Sequence, residues 1–298
     1  MASQQRIPAE LRGRPFRGTT AVAKGLLTKQ QLRGSSWRRL FADVYAWSGL
    51  SLDRTARAQA ASLAAPPGAV ISGRWAAWLL GVDILQSIDN QVEVTIARND
   101  HMWPRDGIAV RHALVPDHDI DVVEGVLVTN AFRTAFDLAR RRRLRSRHDL
   151  IEAVVALDAL AHKFWIDFDD FLAYSVAHRG WRGVRSVPDV IQMADRLAES
   201  PMETRLRMLL VLSGLPRPVV QHEVHIGGST YRIDLAYPDC RLAIEYDGQS
   251  HAQRWESDIR RQNLLADRGW RFRRYVSADY YQRPELILTQ IRRELRRS

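Results

Sequence analysis

The chain has 298 residues, enough for two or three domains of ordinary size. A hydrophobic fraction of 46% and a charged fraction of 26% exclude an intrinsically disordered chain and predict a folded protein. The formal net charge is +10, and only three of the 44 basic side chains are lysines. Arginine holds phosphate through two donors and stacks on bases, so this composition favours a nucleic-acid partner. Codon usage that favours arginine is the alternative explanation.

Other classes of protein are excluded by what the sequence lacks. A single cysteine, Cys240, allows no intramolecular disulfide and no zinc site built from several thiolates. No apolar stretch approaches the roughly 18 residues that a membrane span requires, and the first residues lack the apolar core of a signal peptide. We therefore expect a cytoplasmic protein with no membrane partner.

The first 65 residues have the pattern of a winged helix-turn-helix. Threonines and serines that can cap helices precede three short segments, the last of which is "SWRRLF". The segment "DVYAW" follows with the alternation of a strand. Three short helices and a β-wing make up a winged helix, in which a recognition helix contacts DNA. The candidate caps are Thr19 or Thr20, Thr28, and Ser35 or Ser36. The residues expected on or near the recognition helix, against DNA, are Trp37, Arg38 and Arg39.

An α+β pattern follows over residues 66–175. "ISGRWAAWLLGV" predicts a short helix, and "QVEVTIA" and "GIAVRHALV" alternate as strands do. "NAFRTAFDLARRRRLRSRHDLIEAVVALDAL" predicts a helix with arginines clustered over 140–147. The cluster is either a solvated helix end, where cations oppose the negative end of the helix dipole, or a phosphate contact. Residues 176–199, rich in glycine and arginine, are expected to be a linker with one short helix, "PDVIQMADRL".

The clearest pattern lies in residues 200–298. Ser200 and Pro201 can open a helix that ends at Gly214. Three strands follow, and then a helix, the strand "WRFRRYV" and a final helix, in the order α-β-β-β-α-β-α. The expected fold class is therefore α/β (α+β), with a winged helix-turn-helix, a middle α+β domain and this C-terminal core.

Two of these strands form a predicted hairpin that carries acidic residues. If its loop is symmetric about the bond between 239 and 240, paired positions sum to 479, and Asp234 lies directly opposite Glu245. Asp247 shares the face of Glu245, because it lies two positions further along the strand. The apolar residues expected on the opposite face, toward the core, are Ile233, Leu235, Leu242 and Ile244.

The acidic pair on this hairpin needs a physical explanation, because like charges directly opposite each other are destabilising. At about 5 Å and an effective dielectric of about 20, two carboxylates repel by roughly 3 kcal/mol. A divalent cation between them would reverse this repulsion, and Mg²⁺ binds through one or two carboxylates plus substrate phosphate oxygens. Two explanations without a metal are open: the pair is solvent-exposed and screened, or the register differs by one residue.

The acidic hairpin "IDLAYPDCRLAIEYDGQSH", with the downstream "DIRRQNLLADRGWRFRRY", resembles the PD-(D/E)XK nuclease superfamily. The closest likeness is to the branch related to very-short-patch-repair (Vsr-like) endonucleases. The resemblance covers about 200–298 and implies a restriction-endonuclease-like fold and a DNA endonuclease that depends on Mg²⁺ or Mn²⁺. By this resemblance Asp234 and Glu245 are the metal carboxylates, and the Tyr246 carbonyl is a possible third ligand.

One catalytic position departs from the family pattern. The family's lysine would fall at Asp247, and no lysine follows Lys163. Because that lysine positions or activates the attacking water, its role must pass to another group. His251 is the candidate for general acid/base chemistry, as in the Vsr-like branch, and the alternative is a surface-loop histidine. A metal ion could also lower the pKa of the water directly, and Gln249 is a candidate for orienting the water or contacting nucleic acid.

Glu203 and Arg261 each have two interpretations. Glu203 matches the helical glutamate of the superfamily and could complete the metal shell. Ser200-x-x-Glu203 is also a capping box, in which the glutamate accepts the Ser200 N–H. Arg261 follows Asp258 by three positions on a predicted helix, so it could form a local ion pair or bind the scissile phosphate.

The front of the chain carries a second resemblance. "LLTKQQLRGSSWRRLFADVYAW", "VISGRWAAWLLGV" and "GVLVTNAFRTAFDLAR" are similar to segments of AbiEi-type antitoxins of type IV toxin–antitoxin systems. The similarity covers about 15–160 and implies a winged-helix module with a second domain, acting as a DNA-binding repressor. It also implies a cognate toxin, or a repair or defence protein, as a possible partner.

Two functions compete at this point. The first is a Mg²⁺-dependent DNA endonuclease directed by its winged helix. The second is an antitoxin-like regulator whose nuclease-fold domain binds DNA without cutting it. The missing lysine favours the regulator, whereas the joint presence of Asp234, Glu245 and His251 favours the enzyme, which is the expectation taken forward.

Overall fold

The structure of the protein is a computed structural model that describes residues 7–103, 105–140, 146–248 and 255–297. These residues form a mixed α+β structure with three sheets, which confirms the expected fold class. The chain divides into two compact units, Met1–Asp137 and Leu138–Ser298. The domain boundaries expected after 65, 175 and 199 stay predictions. None of the described helices is long and apolar enough to cross a membrane.

The first unit begins with the element order of a winged helix. The elements are a 3₁₀ helix Ala9–Leu11, strand β1 Phe16–Arg17, helix α1 Gly18–Ala23, a 3₁₀ helix Gln31–Arg33, and strands β2 Trp37–Phe41 and β3 Val44–Trp47. The strands form an antiparallel sheet in the order β1-β3-β2. Thr28 Oγ1 accepts the Gln31 N–H (3.1 Å), and Gln31 Oε1 accepts the Thr28 N–H (2.7 Å), which confirms the predicted cap. In this order the 3₁₀ helix after Thr28 holds the place of the recognition helix.

The helix predicted for "SWRRLF" is wrong, because this segment is strand β2. Trp37 is buried and packs edge-on against Phe16, with ring centroids 5.2 Å apart, and its Cα partner in β3 is Trp47. Asp43, at φ +60°, closes the hairpin, and its carboxylate accepts the N–H and the hydroxyl of Thr19. These contacts between residues distant in sequence select a hairpin where the local sequence also allowed a helix.

A five-stranded sheet follows in the first unit. The elements are α2 Arg54–Ala64, β4 Val70–Ile71, α3 Gly73–Leu79, β5 Val92–Ile96, β6 Ile108–His112, β7 Ile120–Val123, β8 Val126–Thr129 and α4 Ala131–Ala139. The strand order is β6-β5-β4-β8-β7, and Ile71, Trp75 and Val94 lie in its apolar core. Arg133 in α4 is fully buried between Asp119 and Asp137, at 2.9 Å from each carboxylate. This buried ion-pair cluster fixes α4 against the residues that precede β7.

The second unit opens with helices. They are α5 Arg147–Phe164, α6 Phe168–Ala177 and α7 Val187–Met193, the last of which is the short helix predicted within 176–199. The single long helix predicted before them is wrong: α4 ends at Ala139, and Ser146 opens α5 with a capping box. The guanidinium of Arg140 lies over the Trp181 ring at 5.1 Å, and residues 141–145 of the arginine cluster lie outside the described residues.

The C-terminal elements confirm the order α-β-β-β-α-β-α, with one additional short helix before the last. They are α8 Pro201–Leu212, β9 Val219–Ile226, β10 Ser229–Tyr237, β11 Leu242–Tyr246, α9 Trp255–Asp267, β12 Arg271–Tyr275, α10 Ser277–Gln282 and α11 Pro284–Leu295. The sheet order is β12-β11-β10-β9, and the β11–β12 pair is parallel. Leu206 of α8 and Ile287 of α11 pack on one face of the sheet, and Leu265 of α9 packs on the other.

Helix α8 is also bound to α5 by buried ion pairs. Arg205 donates to both oxygens of Glu152, at 2.7 and 2.9 Å. Arg207 donates to Asp158 at 2.6 Å, and the Thr204 hydroxyl donates to the same carboxylate at 2.8 Å. Burial raises the pKa of Asp158 to about 6, and the charge of Arg207 partly offsets this effect. These charges are buried, so each depends on its partner.

Candidate active site

The hairpin register predicted from sequence is confirmed. Leu235 pairs with Ile244 and Tyr237 pairs with Leu242, and the positions of each pair sum to 479. This register brings Asp234 level with Glu245. The hairpin turns through a 3₁₀ helix, Pro238–Cys240.

One expected side-chain direction is wrong. Leu235, Leu242 and Ile244 share the core cluster on the α8 face, whereas Ile233 packs with Ala243 and Leu265 on the α9 face. The change of face falls where the neighbouring strand β9 carries Gln221 at φ +49°, a left-handed conformation that interrupts its regular alternation. The strand next to Asp234 is therefore irregular at the level of the acidic pair.

Asp234 is a partly buried carboxylate that belongs to an acidic cluster. Its Oδ2 accepts the backbone N–H of Tyr246 at 3.1 Å. Burial raises the pKa of Asp234 from 3.8 to about 7, and the charges of Glu203 and then Glu245 raise it further, while the Tyr246 N–H and Arg261 oppose the increase. The three carboxylates thus act on one another electrostatically across β10, β11 and the start of α8.

Glu203 lies in the first turn of α8. Its N–H donates to Ser200 Oγ at 3.2 Å, which confirms Ser200 as the helix cap. The capping box predicted from sequence differs in one bond, because Glu203 Oε2 accepts the N–H of Glu199 at 3.1 Å. Gln221 Nε2 donates to the same oxygen at 2.9 Å. Burial raises the pKa of Glu203, so this carboxylate contributes to the acidic cluster as well as to the helix end.

Glu245 is buried and bound by two arginines. Arg261 Nη2 lies 2.5 Å from Oε1, and Arg274 Nε lies 3.1 Å from Oε2. Arg261 Nη1 also donates to the carbonyl of Arg232 at 2.8 Å. Of the two roles considered for Arg261, the structure thus shows a third arrangement, an ion pair with Glu245 rather than with Asp258. The two guanidinium groups offset the charge that Glu245 would otherwise hold in the protein interior.

The remaining predicted residues on β11 lie at its end. Tyr246 donates or accepts a hydrogen bond through its hydroxyl with Ser277 Oγ at 2.7 Å. Asp247, where the family has lysine, is exposed, and its N–H donates to the carbonyl of Tyr275 at 2.9 Å. Gln249 and His251 lie outside the described residues, so their roles stay predictions.

The candidate DNA-contacting residues of the first unit separate into two kinds. Trp37 is wrong as a DNA contact, because its side chain fills the core of the winged-helix region. Arg38 and Arg39 are exposed on strand β2, which places them on the wing hairpin instead of a recognition helix.

Arg274 is the residue that the sequence reasoning missed. It is the direct Cα partner of Glu245 in the parallel β11–β12 pair. The alternation of "RFRRY" places Arg274 on the face opposite to Arg273, but which face holds the carboxylates depends on the parallel register. That register is set by the whole crossover through α9 and cannot be read from either strand alone.

The carboxylates fit a hard divalent cation in their chemistry. Mg²⁺ prefers carboxylate oxygens, and the mutual repulsion around Asp234 would be relieved by positive charge. Within the described ranges, no group of three or more His, Cys, Asp or Glu side chains is arranged to hold a metal ion. The two arginines on Glu245 account for this difference, since they already neutralise one of the carboxylates.

The fold and this acidic cluster define a restriction-endonuclease-like domain in the C-terminal part of the chain. Comparison with known families agrees: residues 211–295 match the restriction-endonuclease-like family model REase_MTES_1575. Residues 69–167 match the family model of the AbiEi antitoxin C-terminal domain. The two-part resemblance found in the sequence is therefore confirmed, and the narrower Vsr-like assignment stays a prediction.

The chain is also similar to two curated proteins of Mycobacterium tuberculosis. They are Uncharacterized protein MT2308 of strain CDC 1551 / Oshkosh and Uncharacterized protein Rv2248 of strain H37Rv. Each is 33% identical over 180 residues, which is 59% of this chain and 64% of the relative. The chain thus spans about 64% of the length of these relatives.

Proposed function

We propose that the protein is a divalent-metal-dependent DNA endonuclease directed to its substrate by the winged-helix region. The observation that carries this proposal is the group formed by Glu203, Asp234 and Glu245 on a restriction-endonuclease-like sheet. Two of these carboxylates have raised pKa values, a feature concentrated at functional sites. The net charge of +10 supports a polyanionic substrate.

In this proposal Asp234 and Glu245 hold Mg²⁺ or Mn²⁺, with Glu203 and the Tyr246 carbonyl as further possible ligands. When bound, such an ion polarises the phosphate and lowers the pKa of water. The water oxygen forms a bond to phosphorus as the bond to the leaving sugar oxygen breaks. One proton leaves the water and one joins the leaving oxygen, and His251 is the candidate to move a proton. Arginine side chains stabilise the charge on the phosphate.

A regulator that binds DNA without cutting it is the second candidate. The match of residues 69–167 to an AbiEi antitoxin domain favours it, and it also makes a toxin, repair or defence protein a possible partner. The ion pairs of Glu245 with Arg261 and Arg274 favour it as well, because a cation would have to compete with them.

A plasmid-nicking assay with Mg²⁺ or Mn²⁺ separates the two candidates. We expect wild type to nick, and Asp234→Ala and Glu245→Ala to lose at least about a hundredfold in rate. Asp239→Ala is the matched control, because Asp239 is an exposed carboxylate in the turn of the same hairpin. Equal cutting by wild type and both site variants would reject the enzyme, and DNA binding by wild type with no cutting would select the regulator.

A further inference from the structure

We propose that Arg274 is the residue that contacts the scissile phosphate, and that it supplies the positive charge otherwise provided by the family's lysine. This inference rests on the proposed endonuclease function. It replaces the sequence-based expectation that Arg261 is the phosphate clamp.

The position of Arg274 is fixed by the sheet. Glu245 and Arg274 are Cα partners in the parallel pair of β11 and β12, so their side chains leave the sheet on the same face. Arg274 Nε lies 3.1 Å from Glu245 Oε2. The carboxylate is 7% exposed and the arginine side chain is 35% exposed, so the guanidinium extends from the acidic cluster to solvent. A DNA phosphate that approaches the cluster from solvent meets this group.

Arg261 and Arg274 differ in how many of their donors are already used. Arg261 gives Nη1 to the Arg232 carbonyl and Nη2 to Glu245. Arg274 gives only Nε to Glu245, and its two Nη groups have no hydrogen bond or ion pair to any described residue. Arg261 is therefore a positioning residue that holds Glu245, whereas Arg274 retains two parallel donors, the arrangement that binds phosphate oxygens bidentately.

The chemistry of arginine limits what Arg274 can do. A guanidinium stays protonated at every physiological pH, so Arg274 cannot accept a proton from water. It can stabilise the charge that develops on the non-bridging phosphate oxygens, and it can orient the phosphate. No bond to Arg274 forms or breaks, and proton transfer remains with another group.

Arg273 provides a matched control on the same strand. It lies one position earlier, on the opposite face, and pairs with Glu294 at 2.5 Å. Its side chain is 39% exposed, close to the 35% of Arg274. A general effect of removing a half-exposed, ion-paired arginine from β12 would therefore be similar for Arg273→Gln and Arg274→Gln.

The experiment measures plasmid nicking together with the salt dependence of binding to a short DNA duplex in EDTA. For Arg274→Gln we expect nicking to fall at least about tenfold and the slope of log affinity against log salt to decrease by about 1. Arg273→Gln should keep both values near wild type. Unchanged nicking and slope in Arg274→Gln, or equal losses in Arg273→Gln, would overturn the inference.

Arg274→Lys covers the case in which the glutamine variant does not fold. It keeps the charge, so the salt slope should match wild type, while a single ammonium in place of two parallel donors should slow nicking severalfold. Nicking at the wild-type rate would contradict the bidentate role. If wild type cuts nothing under any metal, the endonuclease proposal fails by itself. The slope difference between Arg274→Gln and Arg273→Gln then still decides whether Arg274 contacts phosphate.

Discussion

Replacing Asp234 by asparagine should make the protein more stable in metal-free buffer at neutral and higher pH. Asparagine is nearly the same size and can still accept the Tyr246 N–H that Asp234 Oδ2 accepts at 3.1 Å. It removes one of the mutually repelling charges contributed by Glu203, Asp234 and Glu245. A site carboxylate is thus expected to reduce stability, a cost that functional sites often carry.

The magnitude follows from the pKa of Asp234, which is raised from 3.8 to about 7. Each pKa unit corresponds to about 1.4 kcal/mol, so the full shift corresponds to about 4 kcal/mol. The side chain is only partly buried, so solvent screening reduces the expected gain to about 2 kcal/mol. The folded state holds the extra proton between these two pKa values, so stability is present below the lower one and is lost as pH rises through the upper one.

Urea unfolding in EDTA of wild type and Asp234→Asn at about pH 8 and about pH 4 checks this prediction. The free energy of unfolding of the variant should exceed that of wild type at the higher pH, and the difference should vanish at the lower pH. Asp239→Asn, on the exposed turn of the same hairpin, should show no difference at either pH. A variant that is less stable at the higher pH, or a gain that does not depend on pH, would refute the reasoning.

The other predictions concern the first unit. Arg133→Met should lower the free energy of unfolding by about 3–5 kcal/mol, because it leaves Asp119 and Asp137 buried without their cation; a loss below about 1 kcal/mol in urea unfolding would contradict this. Trp37→Ala should cost about 3–5 kcal/mol in the same assay, as expected for a core residue. Arg39→Ala should leave stability within about 0.5 kcal/mol and lower the salt slope of DNA binding by about 1; an unchanged slope would remove this residue from the DNA contact.

The C-terminal core was predictable from sequence because its determining patterns are local. Ser200 and Pro201 mark the start of α8, and the register of the hairpin follows from the turn between its two strands. The acidic pair could be read from that register because each strand has a period of two. The face change at Ile233 could not, because it depends on the left-handed Gln221 in the adjacent strand.

Contacts between distant residues explain the failures. "SWRRLF" offers helix-capping serines and no helix-breaking residue, so only pairing with β3 and packing of Trp37 on Phe16 identify it as a strand. The arginine at the acidic cluster was missed for a similar reason. Arg274 reaches Glu245 through a parallel pairing in which the intervening chain forms α9. Local patterns give the elements, whereas tertiary pairing decides which charges meet.

The buried ion pairs between α5 and α8 bear on where the nuclease-like domain begins. Helix α5 lies within the antitoxin-like match of 69–167, and α8, which carries Glu203, lies mostly before the nuclease-like match of 211–295. Arg205 and Arg207 in α8 are buried and take their carboxylate partners from α5. The predicted boundary at 175 separates these partners.

We therefore expect residues 138–298 to unfold cooperatively on their own and residues 176–298 not to do so. Each arginine left without its carboxylate costs about 3–5 kcal/mol, and two such losses approach the whole stability of an ordinary domain. Thermal unfolding followed by circular dichroism compares the two truncated chains. In the shorter chain, the double change Arg205→Met and Arg207→Met should recover part of the folded signal, because it removes the unpaired charges. Cooperative unfolding of the unmodified 176–298 chain at the same temperature as the longer one would show that the α5 carboxylates are dispensable.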